Sequence, residues 1–194
     1  MEHGEPEWVP QQGVGTPDGF TRLWTPHRLA YIKASADAGC PFCRIAAGET
    51  DGASEDPDAD NLVVARGDEV FALLNLHPYN PGHLMVLPYR HVADLEDLTD
   101  SETAELTAFT RAAVVTLKKV AAPHAFNVGL NLGTVAGGSL AEHIHQHVVP
   151  RWGGDANFIA VVGQTKVIPQ LLSETREQLA SAWVAPPPPA APPD

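Results

Sequence analysis

Three of the nine histidines in this sequence fall in one five-residue window, His143-Ile144-His145-Gln146-His147, and Val148-Val149 continue it as a β-branched run. In a strand, successive side chains alternate faces, so the three imidazoles share one face while Ile144 and Val148 take the other. A strand with polar, solvent-facing residues is the default reading for one histidine, and three in register make it a minority reading. Two kinds of chemistry use such a ladder: metal ligation, and nucleophilic or acid-base work by neutral imidazole near pH 7.

The preceding loop bears on the choice. Gly133-Thr134-Val135-Ala136-Gly137-Gly138-Ser139 supplies glycines that let backbone amides approach a ligand, and hydroxyls that donate to phosphate oxygens. Alone it reads as a flexible hairpin loop. Directly before a histidine ladder it reads better as a phosphate cradle.

The rest of the chain predicts a single domain with extensions at both ends. Residues 1–38 form an N-terminal arm with a short helix from Pro26 to about Ala36, capped by Thr25 and followed by Gly39. The main domain spans 39–164. A C-terminal helix, from about Ile168 to Trp183, fills 165–184, and 185–194 is a proline-rich tail. Within the main domain, Gly48 to Asp60 reads as an exposed loop. Strands are expected at Asn61–Arg66, Glu69–Asn75, His83–Pro88, Ala125–Leu132 and His143–Val149, with another at Phe158–Val162. Gly67-Asp68 has hairpin spacing. From Thr99 to Val120, apolar residues recur at three and four, with Thr99 and Glu102 forming a capping box and Pro123 beyond the end.

Charge narrows the partners. With 24 acidic and 12 basic residues, a net charge of −12, the surface repels nucleic acid polymers and anionic membranes. A small phosphorylated ligand held by local amides remains compatible. The first ten residues lack the basic start and apolar run of a signal peptide, and no apolar stretch reaches transmembrane length. The cysteines, Cys40 and Cys43, are too close in sequence to be an extracellular disulfide framework, which points to the cytoplasm. Their spacing is that of half a structural zinc site. A redox pair lacks its βαβ context here, and two buried thiols remain an alternative.

Pro81-Gly82-His83-Leu84-Met85-Val86-Leu87-Pro88 with His91, then Asn131, Gly137-Gly138 and the run from His143 to Arg151, together resemble the histidine triad (HIT) superfamily. The resemblance covers roughly Cys40 to Trp152. It implies an α+β fold, an antiparallel sheet of about five strands with two main helices, paired as a homodimer or a dimer of dimers. It implies that His145 attacks the α-phosphorus of a nucleotide, giving a nucleotidyl-histidine, and that His147 bonds the phosphate and assists the leaving group. Asn75 is implied near the ribose, with Asn131, Gly137, Gly138 and Ser139 lining the phosphate site. Where the family keeps zinc, the matching ligands are Cys40, Cys43, His91 and His143; no organic cofactor is implied.

Two positions depart from the common pattern. Gln146 replaces an apolar residue, and on a regular strand it faces away from the triad; Ser139 replaces a glutamine and leaves room beside the phosphate. With the extensions, this pattern is most similar to bacterial diadenosine tetraphosphate phosphorylases, implying phosphorolysis to ADP and ATP with inorganic phosphate as acceptor. Hydrolases of dinucleoside polyphosphates or phosphoramidates share the catalytic residues. His77 and His83 follow a strand and a turn, where a place beside the ligand is the alternative to the favoured reading of ordinary packing or surface residues, and Arg151 reads as either a phosphate contact or a solvated side chain.

Overall fold

A computed structural model describes residues 39–52, 55–137, 140–155 and 167–186. The N-terminal arm with its helix, Gly138, Ser139, the strand expected at 158–162 and the tail beyond 186 lie outside the described residues. The elements are α1 (Pro41–Ala46), α2 (Pro57–Asp60), β1 (Val63–Arg66), β2 (Val70–Leu74), β3 (Leu84–Pro88), α3 (Asp100–Ala121), β4 (Ala125–Leu130), β5 (Gln146–Arg151) and α4 (Leu172–Ala182). The strands form one antiparallel sheet in the order β1-β2-β3-β5-β4.

Both faces of the sheet are covered, so β2 and β3 are buried along their whole length and read as continuous apolar runs. Alternation sorts their side chains. Val70, Ala72, Leu74, Leu84, Val86 and Val148 face α3 and α4, meeting Leu106, Phe109, Leu117 and Leu179. Phe71, Leu73, Met85 and Leu87 face the other way, against Phe42 of α1. The triad lies on that second face.

α3 begins as its residues dictate. The Thr99 side chain accepts from the Glu102 amide at 3.1 Å, and Glu102 Oε2 accepts from the Thr99 amide at 2.8 Å. Arg90 clamps the same carboxylate with bonds of 2.9 and 2.7 Å and holds the Glu102 pKa down at about 2. One turn on, Glu105 accepts from the amides of Asp68 and Val70, fixing the β1–β2 hairpin to the helix. Gly82 has φ +74°, and a Cβ there would meet Leu117 at 3.0 Å; the turn into β3 therefore needs glycine on both counts.

The chain departs from its sequence pattern in four places. The loop expected at Gly48–Asp60 ends in α2, where Asp56 accepts from the Asp58 amide and Pro57 occupies the first turn. α1 has no side-chain cap and is held by burial of Phe42. α4 starts at Leu172 rather than Ile168. Finally, β5 starts at Gln146 rather than His143. Its neighbour β3 ends at Pro88, which has no N–H for the ladder, and the Ile144 amide goes instead to the Val92 carbonyl at 2.7 Å.

Candidate active site

His143 and His145 thus sit on the extended approach to β5 and only His147 on the strand, yet the three rings remain grouped. Phe42 lies under two of them, with ring centroids 5.4 Å from His143 and 5.3 Å from His145, and the His145 and His147 centroids are 5.0 Å apart. All three histidines are buried.

His145 Nδ1 lies 2.8 Å from the His143 carbonyl oxygen. A carbonyl only accepts, so Nδ1 carries the proton and Nε2 keeps its lone pair. Burial lowers the pKa of His145, against a raising contribution from that bond, and favours the neutral ring. The result is an imidazole with a fixed tautomer and an available nitrogen, which needs no base to make it a nucleophile.

His147 is held from both ends. Its Nδ1 lies 2.9 Å from His83 Nε2, and its Nε2 lies 3.2 Å from Asn131 Nδ2. His83 was expected to be a packing or surface residue. It is fully buried and bonded to the triad. The signal was strand parity: Met85 pairs with His147, and His83, two residues from Met85, shares its face.

His143 faces a different group. Its Nε2 lies 2.9 Å from the Pro88 carbonyl, so that nitrogen donates and Nδ1 points with its lone pair to the cysteines. Nδ1 is 3.4 Å from Cys40 Sγ and 3.7 Å from Cys43 Sγ, while Cys43 Sγ is 3.3 Å from His91 Nδ1. One ligand atom from each of these four residues lies within 4.8 Å of the others. An ion about 2.3 Å from sulfur and about 2.0–2.1 Å from nitrogen, at tetrahedral angles, keeps its donors roughly 3.3–3.8 Å apart. The four residues expected as zinc ligands therefore form a cluster that can hold a metal, with the second nitrogen of His143 oriented by a carbonyl as metal-bound histidines are. Burial, reinforced by Cys40, pushes the Cys43 thiol up to about 11, so paired thiolates here require a cation to neutralise them.

The remaining expected residues lie nearby in the chain but are less directly engaged. Asn75 follows β2, and its side chain accepts from the His77 amide at 2.8 Å. Gly137 has φ +98° and donates its amide to the Thr134 carbonyl, closing a turn in the loop. Gln146 faces away from the triad as parity requires, donating to Thr110 on α3 at 2.7 Å. Arg151 is engaged within the protein. It forks onto Asp155 at 2.6 and 2.9 Å and donates to Asn127, which depresses the Asp155 pKa.

Fold and site together define a histidine triad protein: a family model described as HIT domain matches residues 56–154, and the chain belongs to this family. Over 185 residues it is 56% identical to a Mycobacterium tuberculosis protein named AP-4-A phosphorylase, covering 91% of each chain. A Schizosaccharomyces pombe bis(5'-nucleosyl)-tetraphosphatase is 39% identical over 84 residues, 43% of this chain and 46% of the relative. Among solved structures, a zinc-bound histidine triad family protein from Mycobacterium smegmatis superposes with a TM-score of 0.58 at 26% identity, covering 74% of this chain and 92% of that one.

Proposed function

We propose that this protein cleaves diadenosine tetraphosphate by phosphorolysis, giving ADP and ATP. The observation that carries the mechanism is the His145 tautomer: Nδ1–H is committed to the His143 carbonyl, and Nε2 is left as the attacking atom. Nε2 forms a bond to the α-phosphorus as the bond from that phosphorus to its bridging oxygen breaks. ATP departs with the bonding electrons, leaving adenylyl-His145. An oxygen of inorganic phosphate then bonds to the same phosphorus, the N–P bond breaks, and ADP leaves with His145 restored. His147 and Asn131 lie beside this centre and supply hydrogen bonds to the phosphoryl oxygens, where most of the charge is carried. This reading assigns Gly137, Gly138 and Ser139 to the phosphate and Asn75 to the ribose.

The choice of phosphorolysis rests on the relative that is 56% identical along nearly the whole chain. The alternative, hydrolysis of dinucleoside polyphosphates or phosphoramidates, uses the same nucleophile. Incubation with diadenosine tetraphosphate in phosphate and in phosphate-free buffer separates them. Phosphorolysis predicts ADP plus ATP and a rate that rises with phosphate; AMP plus ATP, or two ADP, at a rate indifferent to phosphate overturns it.

Zinc suits the Cys40, Cys43, His91 and His143 donor set, which fills all four positions of a structural site and leaves none for substrate. Bound there, it supplies folding energy by tying α1 to the approach to β5. A homodimer is supported by β4, the last strand of the sheet among the described residues, which exposes Val128. No helix among the described residues is long and apolar enough to cross a membrane. A cytoplasmic setting fits the free thiols.

A further inference from the structure

We propose that Cys40 and Cys43 form a redox switch on the nucleophile: a two-electron oxidant of the peroxide class joins them as a disulfide, the metal is expelled, and His145 loses the arrangement that holds its Nε2 ready for attack. This rests on the readings of the cluster as a zinc site and of His145 as the nucleophile.

Cys40 and Cys43 are the only cysteines in the chain, and both are free and half-buried. Their sulfurs belong to a group whose ligand atoms all lie within 4.8 Å of one another, so each stands within reach of the other once one is oxidised. His91, in the same group, is exposed and opens that side of the cluster to small solutes. One thiolate sulfur attacks a peroxide oxygen, the O–O bond breaks, and a sulfenic acid forms as hydroxide leaves. The second thiolate attacks that sulfur, the S–S bond forms, and a second hydroxide leaves; two protons from solvent complete two waters. The sulfurs give up two electrons in all, and the peroxide takes them. A disulfide carries no charge. The donor set of two thiolates and two imidazoles thereby falls to two neutral imidazoles, too few for a structural site.

The cluster reaches the nucleophile through three groups. The first is His143: its ring Nδ1 is 3.4 Å from Cys40 Sγ and 3.7 Å from Cys43 Sγ, and its own carbonyl accepts the His145 Nδ1 proton at 2.8 Å. The second is Phe42, which stands between the two cysteines in sequence and packs on both rings, 5.4 Å from His143 and 5.3 Å from His145. The third is Val92, next to His91, whose carbonyl anchors the Ile144 amide at 2.7 Å. Closing the disulfide draws the sulfurs to about 2.05 Å, which turns the Cys40–Cys43 segment and carries Phe42 with it. The sheet does not compensate. His145 precedes the first residue of β5, Gln146, whereas His147 is paired with Met85 on one side and Gly129 on the other. Oxidation therefore disturbs the nucleophile and leaves the strand beyond it in register.

Zinc-loaded full-length protein treated with hydrogen peroxide, and in parallel with the thiol-specific oxidant diamide, tests the switch. The expected result is release of about one zinc per chain to a colorimetric indicator. The chain mass is expected to fall by about 2 Da, with no thiol left to alkylate. The kcat for diadenosine tetraphosphate is expected to drop about 10- to 100-fold and to recover with dithiothreitol and zinc. Proton–nitrogen spectra are expected to lose the His145 Nδ1–H signal while the backbone amides of β2 and β3 stay in place. Protein that keeps its zinc under both oxidants, or forms the disulfide with kcat and the His145 signal unchanged, overturns the switch. Turnover lost to peroxide but not to diamide places the damage outside the cysteines and overturns it as well. Protein that takes up no zinc before oxidation overturns the zinc reading and the switch with it. Protein that never turns over this substrate refutes the proposed reaction instead, and the zinc, mass and His145 signals then decide the switch by themselves.

Discussion

His143 and His147 stand at the two ends of one five-residue window and are wired in opposite senses. In His143 the outer partner is a carbonyl, so Nε2 donates and Nδ1 offers a lone pair to two sulfurs and a second imidazole. In His147 the partner is the His83 ring, whose Nδ1 already accepts from the Tyr79 amide, so His147 Nδ1 accepts and its Nε2 faces the Asn131 side chain. The residue type is the same and both rings are buried. What differs is the atom on the far side of each ring, and that atom decides whether the near side is a metal ligand or a hydrogen-bond donor. Between them His145, bonded to the chain's own carbonyl, keeps a bare Nε2, the atom proposed to attack.

The largest expected effect comes from removing that middle residue. His145→Ala is expected to abolish turnover, a loss of at least about 4 kcal/mol of transition-state stabilisation, while thermal unfolding shifts little. Steady-state and single-turnover rates with diadenosine tetraphosphate measure it. A variant retaining more than about a tenth of the wild-type kcat would show that the phosphorus is attacked by something else.

The metal end is broken separately. Cys43→Ser is expected to reduce metal content from about one zinc per chain toward none and to cost about 2–5 kcal/mol of stability, since the cluster joins α1 to the histidine segment. Elemental analysis with thermal melts before and after chelation checks it. Metal-free wild-type protein with an unchanged melting temperature would return the cysteines to simple packing.

A smaller effect is expected where Arg90 and Glu102 hold the segment leading to His91 against the start of α3. Glu102 titrates at about 2 when folded against 4.5 for an unperturbed side chain. The unfolded state therefore binds the proton first, and stability falls as pH drops from about 4.5 toward 2. Glu102→Gln is expected to cost about 1–2 kcal/mol at neutral pH and to flatten that acid limb. Urea melts at pH 7, 4 and 3 measure both; parallel acid limbs in the two proteins would place the sensitive group elsewhere.

How far the sequence revealed this arrangement varies with the kind of signal. α3 was legible because three-four periodicity, a capping box and a following proline all agree. The strands were legible from apolar runs between turns, and the Cys/His cluster only through family likeness, since Cys40 and His143 lie 103 positions apart. The start of β5 was misread because strand pairing depends on the partner, and β3 stops at Pro88. α1 escaped notice because six residues carry no period and its stability comes from Phe42 packing beneath the triad. His83 escaped for a related reason: its importance is a cross-strand contact, visible only when the β3–β5 register is known.

The smallest effect tests whether the back of the triad strand matters to its front. Gln146 lies between His145 and His147 in sequence, but its side chain crosses to the opposite face and donates to Thr110 Oγ1. Thr110 already donates its own proton to the Leu106 carbonyl at 2.8 Å, so losing Gln146 strands no buried donor on the helix. The neighbouring surface on this face is apolar, formed by Val86, Leu106 and Val148. Gln146→Leu therefore exchanges one neutral hydrogen bond for apolar contact of similar volume, and the expected change is under about 1 kcal/mol, of either sign. The ladder bonds at this position are backbone bonds between Gln146 and its partners Val86 and Leu130, and the substitution leaves them in place. Turnover is expected to stay within about twofold of wild type. A tenfold fall in kcat at unchanged melting temperature would mean that the bond to α3 sets the positions of the flanking histidines, and that the two faces of β5 are coupled rather than independent.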